Sequence, residues 1–545
     1  MRHFVDEIKI HCVSLTPQVL SFIIKKRIKI APFIKWTGLL NFPGPYNIMA
    51  ILKGKRHWLV GIGFGLLFLF LLAIRLDVFK WGWSELLPAK DGTISGIPGI
   101  QTFPEKEAWM NIYQNKRKIG YAHRVYSSTE KGYHFIESVF MHINTMGVVQ
   151  GMTFKTDGYL NPDMTLSSFD FDLRSSLFSF KAHGVVHNKQ VTLYTIIPGS
   201  ERKTIIDLKE APHLANGILE SARIAEMKMG ESKSFQVFDP ATMGQRPLKV
   251  TVMSDDVVAI MGKDRKARKV SVDFMGAKQF AWIGEDGDIL KEQGILGITL
   301  EKVTKHEALG KFSLTSGADL TEVASVSSNM IIGDPDALTS MKIRISNVEM
   351  DNLRLNGGRQ TFRKDILVIQ KETIPTRPLR ETIMAGNQAF LKPTPFIQSD
   401  HQKIINKVQE IISPDDPVSV KASRLVAWVN KNIEKRPVLS VPNALETLNN
   451  RVGDCNEHAV LLAALARAAG IPAQVEVGLV YQRGRFYYHA WNVLFIGAWI
   501  TADAVMGQMP ADVTHIRFTR GDVDQQVDLI GVIGKVQIKI LEKSR

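Results

Sequence analysis

The chain has 545 residues, 45% apolar and 22% charged, so it holds core-forming material for two or three domains and is not a disordered polymer. Its net charge of +14 is unevenly placed, because residues 1–56 carry ten Lys or Arg against two Asp or Glu. Basic charge gathered at one end fits a membrane-adjacent flank and excludes the broad basic face that nucleic-acid binding needs.

Residues 1–56 read as a basic cytoplasmic segment. Within it Val19–Ile34 is either a loose basic tail or an amphipathic stretch lying on anionic lipid. Lys53, Lys55 and Arg56 then precede Trp58–Ile74, seventeen residues without a charge, followed by Arg75, which can snorkel, and by Trp81 and Trp83. These features predict a transmembrane helix over 57–80, with everything after it on the outer side. A cleaved signal peptide is the rival reading, but no small-x-small site follows the apolar run.

Only two cysteines occur, Cys12 and Cys455, and this topology puts them on opposite sides of the membrane, where they cannot pair. From about residue 90 to 380 the chain is β-rich. Gly132–Ile143 and Met164–Leu173 alternate in part, Glu285-Asp286-Gly287 looks like a hairpin tip, and 211–229 is the one stretch that looks helical. His123, His134 and His142 fall on these strands and are expected as ordinary surface or core histidines. The region is expected to present a substrate or partner to the C-terminal domain.

After turn-rich residues 375–395, Ser399 or Asp400 is placed to cap a helix through Ile411. Val418–Ile433 continues as a helix with Val420, Leu425, Val426, Trp428 and Val429 inward. Next comes Gly453-Asp454-Cys455-Asn456-Glu457-His458, opening an apolar run that Gly470 and Pro472 close. Asp454 is a good N-cap, and Glu457 can complete a capping box. Cys455 then lies in the first turn, where free N–H groups and the helix dipole favour a thiolate, so a lowered thiol pKa is expected. Three strand patterns come after the helix, 474–481, 486–495 and 498–503, the second carrying His489 and the third ending on Asp503.

A cysteine that attacks an acyl carbon needs an imidazole to handle the proton and an acid to orient that imidazole. His489 and Asp503 lie fourteen residues apart across a short turn, so neighbouring antiparallel strands bring them together. His458, three residues from Cys455 on the helix, is the alternative base. Asp503 can also be read as a simple Asx-turn at a strand end, and His515 as structural or exposed. Tyr487, Tyr488 and Trp491 either wall an acyl pocket or pack the sheet, and Asn449 or Asn450 is a candidate oxyanion donor beside the Cys455 N–H. One cysteine with scattered histidines lacks a tight ligand pair, so neither zinc nor any other cofactor is expected.

Residues 400–517 resemble the transglutaminase-like superfamily of papain-fold cysteine enzymes, in its bacterial branch. Gly453–His458, the Ala/Leu-rich helix with Gly470-Ile471-Pro472-Ala473, His489-Ala490-Trp491, and the segment from Asp503 to His515 match its motifs in order. The sequence departs at Ala504 and Val505, where the family more often has Pro and Thr.

The resemblance implies an α+β protein with an N-terminal transmembrane helix, a β-rich region over 90–380, a papain-like domain over 396–520 and a C-terminal tail over 521–545. It implies Cys455 as nucleophile, His489 as base and Asp503 as orienting residue, with Trp491, Tyr488 and His458 lining the binding site. The expected activity is cleavage or transfer of an amide acyl group through a thioester, by a protease, amidase or acyltransferase acting on a protein or peptide. The alternative is a noncatalytic scaffold that binds peptide or glycan ends within a cell-envelope assembly. The expected location is the bacterial inner membrane, crossed once, with the C-terminal region in the periplasm.

Overall fold

The computed structural model describes residues 105–545, apart from 198–199, 220–223, 225, 275, 311–316, 351–352, 376–384 and 522. The basic segment 1–56, the expected membrane helix 57–80 and Cys12 lie outside the described residues. Among the described residues no helix is long and apolar enough to cross a membrane.

Alternating sequence over 106–303 builds one antiparallel sheet of fourteen strands. Tight hairpins set its register. Met146-Gly147 and Met261-Gly262 each place two residues at positive φ, the two-residue turn whose twist suits neighbouring strands. Each strand pairs with its sequence neighbour except that Lys106–Gln114 also pairs with Ile298–Val303, which leaves Ser200–Asp207 and Ser232–Asp239 at the two edges. Those edges are brought round towards each other. Pro212 O accepts from Leu166 N (2.7 Å), His213 N donates to Gln236 O (2.7 Å), and the rings of Phe169 and Phe238 lie 5.5 Å apart. The sheet therefore curls into a barrel-like wall around aromatic residues such as Tyr126, Phe135, Phe169 and Phe180. Within 211–229 the described helix is only Ala215–Leu219.

The C-terminal half is built around the cysteine helix, Cys455–Ala468, whose residues from Glu457 to Arg467 are all buried. Burying Leu461, Leu462 and Leu465 contributes roughly 2 kcal/mol each. Helices Gln402–Ile411, Val418–Asn432 and Ala444–Asn450 pack on it from one side. The cap of the first of these falls on His401, whose ring accepts from Lys403 N, rather than on Ser399 or Asp400. On the other side lies a sheet of Ala473–Gln482, Arg485–Phe495, Trp499–Ala502 and Ile516–Arg520, with Val326–Ser327 added at its edge.

Two boundaries differ from expectation. Residues 521–545 are not a tail, because Gln537–Ser544 pairs with Ser340–Ser346 in a four-stranded sheet with Ile366–Gln370 and Gln360–Arg363. Met341, Ile343, Ile369, Ile538 and Ile540 from that sheet share one core with the cysteine helix. The β-rich region thus divides, its last part from about 326 belonging to the catalytic half. Alternation alone carries no record of which sheet a strand joins, since that depends on non-local pairing.

Candidate active site

The cysteine helix begins as its sequence requires. Asp454 accepts from Asn456 N (2.9 Å), and Glu457 reaches back to the Asp454 N–H (3.0 Å), completing the capping box. Ser440 holds the other oxygen of Glu457. Burial, then the neighbouring Asp454, pushes Glu457 up.

The turn Arg483-Gly484, with both residues at positive φ, fixes the histidine strand Arg485–Phe495 against Ala473–Gln482 so that Gly478 faces His489 and Val477 faces Ala490. Along its other edge, Val326–Ser327 covers Phe486 and Arg485, while Trp499–Ala502 covers Asn492 to Phe495. Among the described residues no strand pairs with 487–491 on that edge. At this break the Ala490 N–H bears on the Cys455 thiol and favours its charged form. The sheet edge thus meets the helix start at Cys455.

His489 Nε2 lies 2.8 Å from Asp503 Oδ2. Asp503 is fully buried, and its two oxygens do different work. Oδ1 accepts from Val505 N (2.7 Å) and Met506 N (3.0 Å), the Asx-turn of the alternative reading, while Oδ2 holds the imidazole. The departure at Ala504-Val505 leaves this turn intact. Burial alone would raise the Asp503 carboxyl, yet ion pairing with His489 and then His515 holds it far below the usual range. With Nε2 committed to Asp503, Nδ1 is the ring nitrogen left for the thiol.

The thiol departs from expectation. Burial pushes Cys455 well up, the Asp454 carboxylate adds to this, and Glu457 and Asp503 push the same way against the Ala490 N–H. The first helical turn alone would favour a thiolate, but here it is crowded with carboxyl groups, including the cap itself. The side chain nonetheless keeps part of its surface exposed.

The other expected site residues take varied places. His458 is buried, and its Nδ1–H donates to the Asp454 carbonyl (2.7 Å). Burial lowers its pKa, so it is neutral, and the orienting carboxylate belongs to His489 instead. Trp491 is 1% exposed, donates to Glu476 (2.9 Å) and lies 6.1 Å from the His489 ring, so it packs the base from within. Tyr488 turns to the face opposite His489 and donates to the Val532 carbonyl (3.2 Å), which removes it from the site. Asn450 spends its amide on the Leu177 carbonyl (3.0 Å), and Asn449 accepts from Lys403 (3.3 Å). The Asp454 carboxylate already takes the N–H groups of Asn456 and Glu457, and its carbonyl that of His458, which leaves the Cys455 N–H at the helix start.

Sequence reasoning missed His515. It is fully buried and sets Nε2 3.0 Å from Asp503 Oδ2, with Nδ1 facing Asp512. It closes the matched segment that begins at Asp503 and is expected as structural or exposed, but its bond to Asp503 is not expected, since it reaches that residue through a loop rather than a strand register. His489, Asp503 and His515 place one ligating atom each within 4.8 Å of one another, as a metal set would. Both ring nitrogens, however, already meet the same Asp503 oxygen, so the group is satisfied as a hydrogen-bonded ion network.

Residues 405–504 match the family model described as the transglutaminase-like superfamily, so the chain carries a transglutaminase-like domain there. Among curated proteins none matches it. Among solved structures, a candidate cysteine protease from Cytophaga hutchinsonii is 18% identical, covering 38% of this chain and 86% of that one, with a TM-score of 0.24. A β-barrel-like protein from Brucella abortus, of a domain family of unknown function, is 11% identical, covering 38% and 98%, at 0.29. The periplasmic domain of TgpA from Pseudomonas aeruginosa is 13% identical, covering 35% and 91%, at 0.23. At such scores these three likenesses carry no argument.

Proposed function

We propose that the C-terminal domain is a cysteine enzyme acting on amide bonds, a protease or amidase when water takes the acyl group and an acyltransferase when an amine does. Cys455 is the nucleophile, His489 the base and Asp503 its orienting acid. The observation that carries this reading is the buried Asp503 holding His489 Nε2 at 2.8 Å beside a cysteine at a helix start.

On this reading His489 Nδ1 takes the thiol proton as sulfur attacks the acyl carbon, and the Cys455 N–H at the helix start meets the oxyanion. Collapse breaks the C–N bond, Nδ1 returns its proton to the leaving amine, and a thioester remains. Water or an amine, losing its proton to His489, then attacks the thioester and releases the thiol. Because the thiol is held up, its deprotonation is coupled to attack rather than stored as a resting thiolate.

The substrate is a protein or peptide. The charge step from Lys53, Lys55 and Arg56 to Trp58–Ile74 supports a single-pass anchor in a bacterial inner membrane, with residues beyond about 80 in the periplasm among cell-envelope partners. A reporter fused after Arg545 that works only in the cytoplasm overturns that topology.

The raised thiol favours one second reading, a noncatalytic scaffold that binds peptide or glycan ends. Intact-mass analysis after incubation with an activated acyl ester separates the two. The enzyme gives an acyl adduct on Cys455 that turns over with water or amine and is absent in Cys455→Ala. In cells, full complementation by Cys455→Ala where deletion of 400–517 fails contradicts the enzyme and supports the scaffold.

A further inference from the structure

Acyl transfer by Cys455 and His489 uses one of the two histidines on Asp503 and leaves the other without a task. His515 meets the same oxygen of that carboxylate, Oδ2, as the cysteine's base does. Its Nε2 is 3.0 Å from Asp503 Oδ2, and its Nδ1 is 3.2 Å from the Asp512 carbonyl and 3.4 Å from Asp512 Oδ1. Both nitrogens face oxygen acceptors only, so both carry protons. Its ring stands edge-on to Trp491 at 5.1 Å and lies 6.0 Å from the ring of His489.

The far anchor is as firmly built as the near one. Asp512 accepts from Thr514 N (2.7 Å), Thr514 Oγ1 (2.6 Å) and Gln508 Nε2 (3.1 Å). Arg359 donates to the carbonyls of Ala511 (2.6 Å) and His515 (3.1 Å), and its charge is answered by Glu372 at 3.4 Å. From the sheet side, Gly478 faces His489, and a Cβ there would lie 1.9 Å from the Ile516 carbonyl, so the missing side chain lets the backbone beside His515 close in. Asp503, Asp512, His489, Arg359 and Glu372 are the charged or titratable groups around this ring.

We propose that His515 is a positioning residue of the acyl-transfer site, a doubly protonated clamp between Asp512 and Asp503 that fixes the carboxylate orienting His489 and sets the pH at which His489 works. This rests on the enzymatic reading for its purpose and on the geometry for its existence. Because both imidazoles meet Asp503 Oδ2, the His515 cation offsets at that oxygen the negative charge that faces His489, while keeping the carboxylate ionised. Burial works against a charged His515, but Asp503 and Asp512 push it up to about 9, so the clamp stays charged through the neutral range.

The test is the pH profile of Cys455 alkylation by iodoacetamide, with the profile of acyl transfer beside it, in the full chain. His515→Gln removes the cation and keeps a side-chain donor. The negative charge it leaves unopposed resists the thiolate and favours the imidazolium, so both limbs move to higher pH by about one to two units. Asp512→Asn removes a negative charge instead and must not move the profile upward. A purely structural role lowers the plateau in both variants and leaves the midpoints in place, which overturns the proposal. Should His515→Gln fail to fold, an upward shift in His515→Asn supports the clamp and an unshifted profile contradicts it. Alkylation needs no substrate, so a wild type without acyl transfer defeats the enzymatic reading and still leaves the clamp decided by its own profile.

Discussion

The fourteen-stranded sheet and the transglutaminase-like domain both bury charge, and only the second sets it beside a cysteine at a helix start. In the sheet, Arg124 lies between Glu137 (2.7 Å) and Glu292 (2.6 Å) inside a continuous wall of strands. Burial alone would lower its pKa, yet Glu292 and Glu137 raise it, and nothing about the trio adjoins a nucleophile. In the transglutaminase-like domain, Asp503 is buried as deeply, but one of its partners, His489, sits at a break in strand pairing where the backbone bears on the Cys455 thiol. A buried ion cluster becomes a site when one member keeps an atom available next to a reactive group. Without that, it is structure.

The two regions are also joined at the cysteine loop. Phe178, from the sheet, packs with Val438 and Val452, the latter two residues before the cap of the cysteine helix. Ser179 N donates to Glu446 (3.1 Å), Gln150 donates to the Pro437 carbonyl (2.9 Å), and the rings of Phe180 and Phe396 lie 6.3 Å apart. The sheet thus buttresses the loop that carries the nucleophile, in addition to whatever it presents at its surface.

The comparison breaks most visibly at Asp503. Asp503→Ala is expected to cut acyl transfer by about 10⁴ and to cost about 3–5 kcal/mol in unfolding, because the His515 cation and two backbone N–H groups lose their acceptor. Kinetics and chemical denaturation read the two effects. Arg124→Ala is expected to cost a similar ~3 kcal/mol, since it takes the guanidinium away from the buried Glu137 and the partly buried Glu292, while acyl transfer per folded molecule stays unchanged. A loss of activity in that variant would mean that the two ion clusters are coupled.

Phe178→Ala is expected to cost about 3 kcal/mol and to lower the melting temperature of sheet and transglutaminase-like domain together, as one calorimetric transition. Two separated transitions would show that the sheet does not buttress the loop. The His515 cluster gives stability a pH dependence of its own. His515 gains affinity for its proton on folding, so its contribution is whole below its ordinary 6.5 and is lost as pH rises to about 9, a drop of roughly 3 kcal/mol. Asp503 and Asp512 act in the other direction, with stability present above the usual carboxylate range and lost in acid. Denaturation midpoints across pH 6 to 8, below the range where an unfolded thiol ionises, should fall more steeply for the wild type than for His515→Gln. The smallest effect is expected at the half-exposed Arg202–Asp400 pair between the two regions, where Arg202→Ala costs about 0.5 kcal/mol.

What could be read from the residues was local. Asp454, Cys455 and Glu457 lie within one turn, so the cap and the place of Cys455 in the first turn followed from spacing alone. His489 and Asp503 were readable because one short turn joins their strands. His515 was not, since its reach to Asp503 runs through the loop after Gln508 and the close approach at Gly478, neither of which leaves a pattern. The strand at Gln537–Ser544 was missed for a related reason, its partner Ser340–Ser346 lying about two hundred residues earlier. Tyr488 was misplaced by one step of the strand alternation. The thiol was misjudged because the helix dipole was weighed without burial or the carboxylates that the capping box itself brings in.

The central claim is that the Asp503-held imidazole of His489 activates a thiol that its surroundings would otherwise keep protonated. The most direct measurement is the rate of Cys455 alkylation against pH in the wild type, His489→Ala and His458→Ala. The account predicts that His489→Ala loses reactivity throughout the neutral range, by about tenfold or more, and reacts only in strong base, while His458→Ala follows the wild type. Equal slowing by both variants, or a His489→Ala profile that overlays the wild type, contradicts it.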